Sequence, residues 1–343
     1  MLHQLPDPDE STKKKRKALF SSSKDTAVND NLPASDAATE YTVDIYKYHK
    51  DKEVRTIKCV FFYCCCVCDK FLCSLRMRFF VVQQALYMHN QLDPNDRVLV
   101  VGSLQAVHTD FKLEPASLHL CVKLLDRYCA SKRVQRSKAM LVGIAALKLA
   151  SKFEDARPAS AHFCERLRAS ESGLQHKHTE IVDLEKLMLH SFDFNLGCPT
   201  CYHFLSHFLN AAGHGPASRV AHRASYFSER CLQEHGMIKH KPSLVAASVM
   251  YLAASMEEDK RWTPELEEFS GISRDQILPC AQQILNYVLA KPTSPSSAIP
   301  GLSTDAVKIK YESPVFLSVA KENPPALGPS GLQKRDRPRG GRN

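Results

Sequence analysis

Glycine and tryptophan are scarce in this chain, with 13 glycines and a single tryptophan in 343 residues. That argues against a turn-rich all-β protein and against a glycine-rich nucleotide-binding scaffold. No apolar run reaches the ~18 residues that a membrane-spanning helix needs. The opening stretch Met1–Glu10 is polar and acidic, so no export signal and no membrane contact are expected. No nucleophile–base pair, phosphate loop or well-spaced metal cluster is evident, so neither catalysis, a cofactor nor a metal is expected. A basic folded face is missing too. The formal charge is +9, but the excess sits in two runs without helical periodicity: Lys13-Lys14-Lys15-Arg16-Lys17, and Lys334 to Arg342 near the end. Direct nucleic-acid binding needs cations spread over a folded face and is not expected. What the chain does have is 13 cysteines, 44% apolar residues and a length suited to two domains. Without an export signal, the cysteines read as free thiols of a reducing compartment.

The apolar pattern is helical almost throughout. Leu118, Val122, Leu125 and Cys129 share one helix face; Ile181, Leu184, Met188 and Leu189 form a second stripe, and Ile277, Ala281, Ile284, Leu285 and Val288 a third. Ser137 to Phe153 is apolar nearly all round, as a helix at the centre of a bundle would be. Lys138–Asp155 can be laid without a gap over Lys241–Glu258, at an offset of 103 residues. Leu141, Val142, Leu149, Ala150 and Glu154 are matched by Leu244, Val245, Leu252, Ala253 and Glu257. Small residues at Gly143, Ala145 and Ala146 allow close helix approach. Each copy is followed by a charged break and further helices, so two tandem all-α domains of about 100 residues are expected. The implied division is a disordered tail over 1–40, an N-terminal helix with a Cys/Phe-rich insert (57–82) over 41–95, a first helical domain over 96–196, a second over 197–292, and a Pro-rich tail over 293–343.

Several motifs now carry a resemblance. Asp44-Ile45-Tyr46-Lys47-Tyr48, Tyr87-Met88-His89-Asn90-Gln91, Leu125-Asp126-Arg127-Tyr128, Leu149-Ala150-Ser151-Lys152-Phe153-Glu154-Asp155, Glu185 with Leu189, Phe194 and Leu196, and the linker Pro199-Thr200 together resemble the A/B mitotic cyclins, leaning to the A type. The resembling region runs from about Glu40 to Ala320. The resemblance implies two tandem five-helix cyclin boxes and a non-catalytic subunit that activates a cyclin-dependent Ser/Thr kinase as a heterodimer. It further implies that Lys152 and Glu185 pair and hydrogen-bond the kinase backbone, and that Phe153, Leu149, Leu189, Leu196 and Ile45 form the apolar contact surface. Arg97 and Asp126 would be an internal ion pair. The second repeat has Ser255 and Met256 where the first has Lys152 and Phe153, so only the first box is expected to bind kinase. Read without the resemblance, Lys152 and Glu185 are ordinary helix-end charges, and Phe153, Leu149 and Leu189 are core residues.

The sequence also departs from the family. Its substrate-docking groove, which takes Arg-x-Leu peptides, is replaced by Asp96, Ser103, Ala106 and Met140 where the family has Met, Trp, Glu and Gln, so docking of such peptides should be weak or absent. The insert Ile57–Val82 holds six of the 13 cysteines. A membrane helix is interrupted by Asp69-Lys70; Cys64, Cys65, Cys66 and Cys68 are too crowded for one tetrahedral ion; palmitoylation lacks other anchors. The fourth reading, translated intron, is favoured by its T-rich codon classes. Cys198, Cys201, His203 and His207 are spaced too tightly for a zinc finger and read as core and surface residues. Lys13–Lys17 resembles a nuclear signal, and a nuclear protein with a cytoplasmic pool is expected. Arg16-Lys17-Ala18-Leu19 and Lys321-Glu322-Asn323 match short degrons read by ubiquitin ligases, and Ser294-Pro295 and Ser313-Pro314 match proline-directed phosphosites. Two rivals remain: a cyclin-fold chain that no longer activates a kinase, and a tandem cyclin-fold transcription factor that binds DNA.

Overall fold

Prolines and polar caps decide where the helices of this chain begin, and apolar stripes decide how they pack. The computed structural model describes residues 44–54, 94–156, 178–257, 262–289, 306–322, 327–328 and 331–332. The chain separates into the units Met1–Ile45 and Tyr46–Asn343. Of the first only Asp44 and Ile45 are described, and the account below concerns the second. The insert 57–82, the basic run Lys13–Lys17, the Arg16–Leu19 motif and Ser294-Pro295 lie outside the described residues.

Helix α1 covers residues 44–54. The first repeat contributes α2 (Pro94–Asp110), α3 (Pro115–Ser131), α4 (Ala139–Glu154) and α5 (His178–Ser191). The second contributes α6 (Cys201–Ala211), α7 (Arg219–Gln233), α8 (Pro242–Met256), α9 (Pro264–Ser270) and α10 (Arg274–Leu289). Pro115, Pro242 and Pro264 stand in first turns, where a missing N–H costs nothing. Ser218 and Thr263 accept N–H bonds from Ala221 and Leu266 at 3.1 and 3.3 Å as N-caps. Gly271 ends α9 in the left-handed region at φ 64°, where a Cβ would be strained.

The repeat seen in the sequence is physical. In α4 every residue from Ala139 to Ser151 is buried, and in α8 every residue from Val245 to Ala254. Each is the axis of its own apolar cluster. A Cβ on Gly143 would stand 3.0 Å from both Leu104 and Val100, so the glycine lets α2 lie against α4. Each fully buried leucine there, such as Leu104, Leu118 or Leu124, contributes about 1.5–3 kcal/mol.

The repeats are joined by polar contacts as well as packing. Arg97 donates from Nε and Nη2 to the two Asp126 oxygens at 2.9 and 3.0 Å, tying α2 to α3. Its Nη1 also reaches the Leu232 and Gln233 carbonyls of α7 at 2.8 and 3.2 Å. Gln105 donates to the Glu229 carbonyl at 2.7 Å and accepts from Gln233 at 2.6 Å. The expected ion pair within the first repeat is therefore also a clamp between repeats.

One expectation is corrected. Residues 306–322 are part of the fold, not of a tail. Helix α11 (Ala306–Glu312) and the 3-10 turns Pro314–Phe316 and Val319–Lys321 bury Val307, Tyr311, Val319 and Ala320 in the second-repeat core. The Tyr311 hydroxyl donates to Glu229 at 2.8 Å and Lys310 pairs with the same carboxylate at 2.7 Å. Proline ends helices but does not prevent packing, and Val307 with Tyr311 is too short an apolar pattern to register as periodicity. A two-residue antiparallel pair, Leu327–Gly328 with Gly331–Leu332, follows. No helix among the described residues is long and apolar enough to cross a membrane.

Candidate functional site

The last turn of α4 and the middle of α5 meet around a buried carboxylate. Glu185, on the inward stripe of α5, has a side chain only 5% exposed. Lys152 brings Nζ to 2.8 Å from its Oε2, while keeping 47% of its own side chain in solvent. Lys148, one turn earlier and buried, approaches the same oxygen at 3.5 Å. The other oxygen, Oε1, is buried with no hydrogen-bond partner among the described residues. Leaving a buried acceptor unsatisfied costs about 1–3 kcal/mol, and more for a charged one, so this oxygen points to a donor arriving from outside. Lys152, held by one contact, has further N–H bonds to offer outward.

Apolar side chains surround this polar centre, but not all of those expected. Phe153, beside Lys152, is 52% exposed, and Leu189 is partly buried against the first-repeat core. Leu149 and Leu196 are only 4% and 7% exposed, which corrects their expected place on a contact surface. Both point into the first-repeat cluster, because α4 is buried on every side until its final turn. Leu187, on the outward face of α5, and Phe194, in the turn after it, are 58% and 64% exposed. Asp193 and Phe194 have φ of 48° and 58°, a left-handed turn that costs a bulky residue about 1–2 kcal/mol. The turn closes with the Phe194 N–H on the Leu189 carbonyl at 3.0 Å and leaves the ring facing solvent. Gly197 lies beneath the Phe153 ring, whose Cζ would stand 3.3 Å from a Cβ, and beneath Lys52 of α1 at 3.2 Å. Ile45, on α1, is 47% exposed. Lys148, Leu187 and Phe194 are the residues that sequence reasoning did not assign. Lys148 left a signal, standing four residues before Lys152 on the same helix face, and Phe194 stood in the quoted motif without a role assigned to it.

The four positions matching the substrate-docking groove do not line an open trough. Asp96 is buried and pairs with Arg136 at 2.7 Å, the Ser103 hydroxyl donates to the Leu99 carbonyl at 2.8 Å, and Met140 is in the core. Ala106 is half-buried.

Nor do the cysteines and histidines assemble a metal centre: among the described residues no three such groups could hold an ion. Cys198 is buried, and burial pushes its thiol pKa up, as it does for Cys129, to about 12, and Cys280, to about 11. These thiols are inert. His203 and His207 of α6 pack beside His49 of α1, with His207 and His49 ring nitrogens 3.2 Å apart. Burial and the neighbouring imidazoles lower the pKa of both His203 and His207 to about 4, so the cluster is neutral near pH 7.

The Lys321-Glu322 half of the short motif near the C-terminus is bound to the fold. Glu322 accepts from Arg223 at 2.8 Å and from Arg219, and both arginines also hold Glu257. Arg223 is 1% exposed. Ser313 caps the Pro314–Phe316 turn by accepting the Val315 N–H at 3.4 Å.

Comparison with known proteins gives this geometry its family. Residues 68–197 match the N-terminal domain of cyclins and residues 199–325 the C-terminal domain. The second match takes in the segment 306–322, in keeping with its packing. The chain is 34% identical to the G2/mitotic-specific cyclin-A of Hydra viridissima over 233 residues, 67% of this chain and 53% of that protein. It is 32% identical to Cyclin-B1-5 of Oryza sativa subsp. japonica over 211 residues, 61% of this chain and 46% of that protein. It thus spans about half the length of the curated relatives it matches. Among solved structures, a viral cyclin from herpesvirus saimiri superposes with a TM-score of 0.53 at 19% identity, covering 62% of this chain and 96% of that one, and shows the same fold. Two cyclin domains in tandem, each around its own apolar helix, together with relatives among both A- and B-type mitotic cyclins, establish that the chain belongs to the cyclin family.

Proposed function

We propose that this chain is the activating, non-catalytic subunit of a cyclin-dependent Ser/Thr protein kinase in cell-cycle progression through S, G2 and M. The observation that carries this reading is the buried Glu185 carboxylate, with one oxygen on Lys152 and the other unpartnered among the described residues, and with the exposed Phe153 ring next to Lys152. In this reading Glu185 Oε1 accepts a backbone N–H from the kinase and Lys152 donates to a kinase carbonyl. Both are charge-assisted bonds that gain strength when the apolar rim excludes water. The aromatic rim packs on the kinase's regulatory helix and holds it inward. That completes the Lys–Glu ion pair that orients ATP and frees the activation segment. Cyclins activate kinases rather than catalyse, and no group of this site is required to act on substrate.

The degron and localisation readings belong to the same proposal. A nuclear chain with a cytoplasmic pool would use Lys13–Lys17, and ubiquitin-ligase readers would take Arg16–Leu19 and Lys321–Asn323. Reading the second motif requires Glu322 to leave Arg219 and Arg223. Peptides of the Arg-x-Leu type should bind weakly, since Asp96, Ser103 and Met140 are buried.

The test is phosphorylation of a histone peptide by a monomeric cyclin-dependent kinase, itself phosphorylated on its activation loop, with and without the purified chain. Strong stimulation supports the proposal. A chain shown to be folded by circular dichroism that gives no stimulation would favour the rival reading, a cyclin fold that no longer activates.

A further inference from the structure

A concave site lies at the second repeat, where nothing above assigns a role. Helix α1, the turn before α8 and the turn after α9 enclose a cavity of about 310 Å³, lined among others by Lys50, Lys239, His240, Lys241, Ser243 and Gln276. Its lining is strongly cationic. Among the described residues no carboxylate stands within ion-pair distance of Lys50, Lys239 or Lys241, and the acid alongside, Glu53, is turned to Ser243. Glu53 accepts the Ser243 N–H on one oxygen and the Ser243 hydroxyl on the other, both at 2.9 Å. The Ser243 oxygen in turn accepts from Lys50 Nζ at 3.4 Å, which orients that ammonium at the cavity.

Lys50 is half-buried, with Nζ 5.8 and 5.9 Å from the Tyr46 and Phe204 ring centroids. Burial draws its pKa down, and the like charge of Lys241 adds to this against the lift from Glu53. Cations gathered around a concave, partly dewatered space repel one another and are relieved by an anion. Glutamine and serine side chains add neutral donors, and Leu244 and Ile272 give the wall an apolar portion. A single concave focus of charge suits one compact oxyanion on an organic stem. A nucleic-acid backbone would instead need cations spread along a face.

We propose that this cavity binds the phosphoryl group of a phosphorylated serine or threonine in a partner protein. Lys50, Lys239 and Lys241 supply the charge, and the Gln276 amide and the apolar wall contact the peptide around it. The site would then select partners by their phosphorylation state. It does so independently of the kinase-facing centre on α4 and α5.

The experiment is a backbone-amide NMR titration of the isotopically labelled full chain with N-acetyl-phosphoserine amide, with the unphosphorylated amide, inorganic phosphate, sulfate and a short DNA duplex as parallel arms. The expected result is saturable shifts at the Ser243 and Gln276 amides with the phosphoserine amide and, more weakly, with phosphate, and none with the unphosphorylated form. Lys50→Gln should weaken binding about tenfold or more, the loss of one charge-assisted hydrogen bond. Lys241→Gln, at an exposed side chain, gives the same direction should Lys50→Gln disturb folding, and Lys308→Gln on α11 should leave it unchanged. The proposal is overturned by an absence of saturable shifts at millimolar ligand, by equal binding of sulfate and the phosphoserine amide, by tighter binding of the duplex, or by indifference to both lysine variants.

Discussion

The two repeats use one scaffold for opposite ends. Helices α4 and α8 are buried over nearly their whole length, and 103 residues separate equivalent positions. The difference lies in what each does with its last turn. In α4, Lys148 and Lys152 both reach Glu185, and Phe153 faces water. In α8 the equivalents are Tyr251, Ser255 and Met256; Tyr251 is 1% exposed, and the Ser255 hydroxyl turns back to the Tyr251 carbonyl at 2.6 Å. Glu257, the counterpart of Glu154, is held by Arg219 and Arg223, which also bind Glu322 of the C-terminal segment. The second repeat is thus closed by its own chain, while among the described residues the end of the first keeps Lys152 and the Phe153 ring exposed. A duplicated fold supplies a platform twice, and under the proposed function a few side chains at one helix terminus would decide which copy meets a partner.

Removing the closure should have the largest effect. Tyr311→Ala deletes a ring buried between α11 and α7 together with its bond to Glu229, and should destabilise the chain by about 3–5 kcal/mol in urea denaturation. A loss below about 1 kcal/mol would mean that 306–322 adds little to the second repeat. Converting the open end into the closed one comes next. Lys152→Ser with Phe153→Met should cut kinase stimulation roughly a hundredfold, as expected for truncating a desolvated charge contact. Because Lys152→Ser also takes the 2.8 Å partner from the buried Glu185 carboxylate, the double variant should lose about 1–3 kcal/mol in urea denaturation and is to be assayed where it is still fully folded. A comparable loss of stimulation from altering Ser255 and Met256 would erase the distinction between repeats.

Much of this was legible in the sequence. The duplication and the all-α class followed from helical periodicity and spacing, because buried helix axes leave an apolar signature on every side, whereas the Lys152–Glu185 pair was implied only by the resemblance to cyclins. What was not legible depends on turns and on contacts between distant segments. Leu149 and Leu196 point inward because of how α4 and the turn after α5 are set, whereas the left-handed turn at Asp193 and Phe194 carries no glycine to announce it. The docking of Val307 and Tyr311 joins the C-terminal segment to α2 and α7, far away in the chain. The capture of Glu322 by Arg223 is likewise a long-range contact, invisible to local pattern.

Two smaller effects sharpen the comparison on the side of the second repeat. His203 and His207 have folded pKa values lowered to about 4, against 6.5 for the free side chain. Between pH 6.5 and 4 the unfolded chain therefore takes up protons that the folded chain refuses, and stability should fall through that window as pH drops. His207→Gln should flatten the fall, measured as the urea midpoint against pH; an unchanged slope would remove this seam as its source. Glu322→Gln should cost about 1 kcal/mol, since the carboxylate is half exposed and Arg223 keeps Glu257. The arginines hold the Glu322 pKa below its usual value. Its contribution should accordingly be complete above pH ~4.5 and vanish as pH falls through the folded value.

The most direct test of the open-end account is the affinity of an activation-loop-phosphorylated cyclin-dependent kinase for the full chain and for Lys152→Ala, measured side by side by biolayer interferometry. The account predicts tight binding by the unaltered chain and a loss of roughly thirtyfold or more in the variant, with its circular dichroism unchanged. Equal affinities, or no binding by either folded chain, would contradict it.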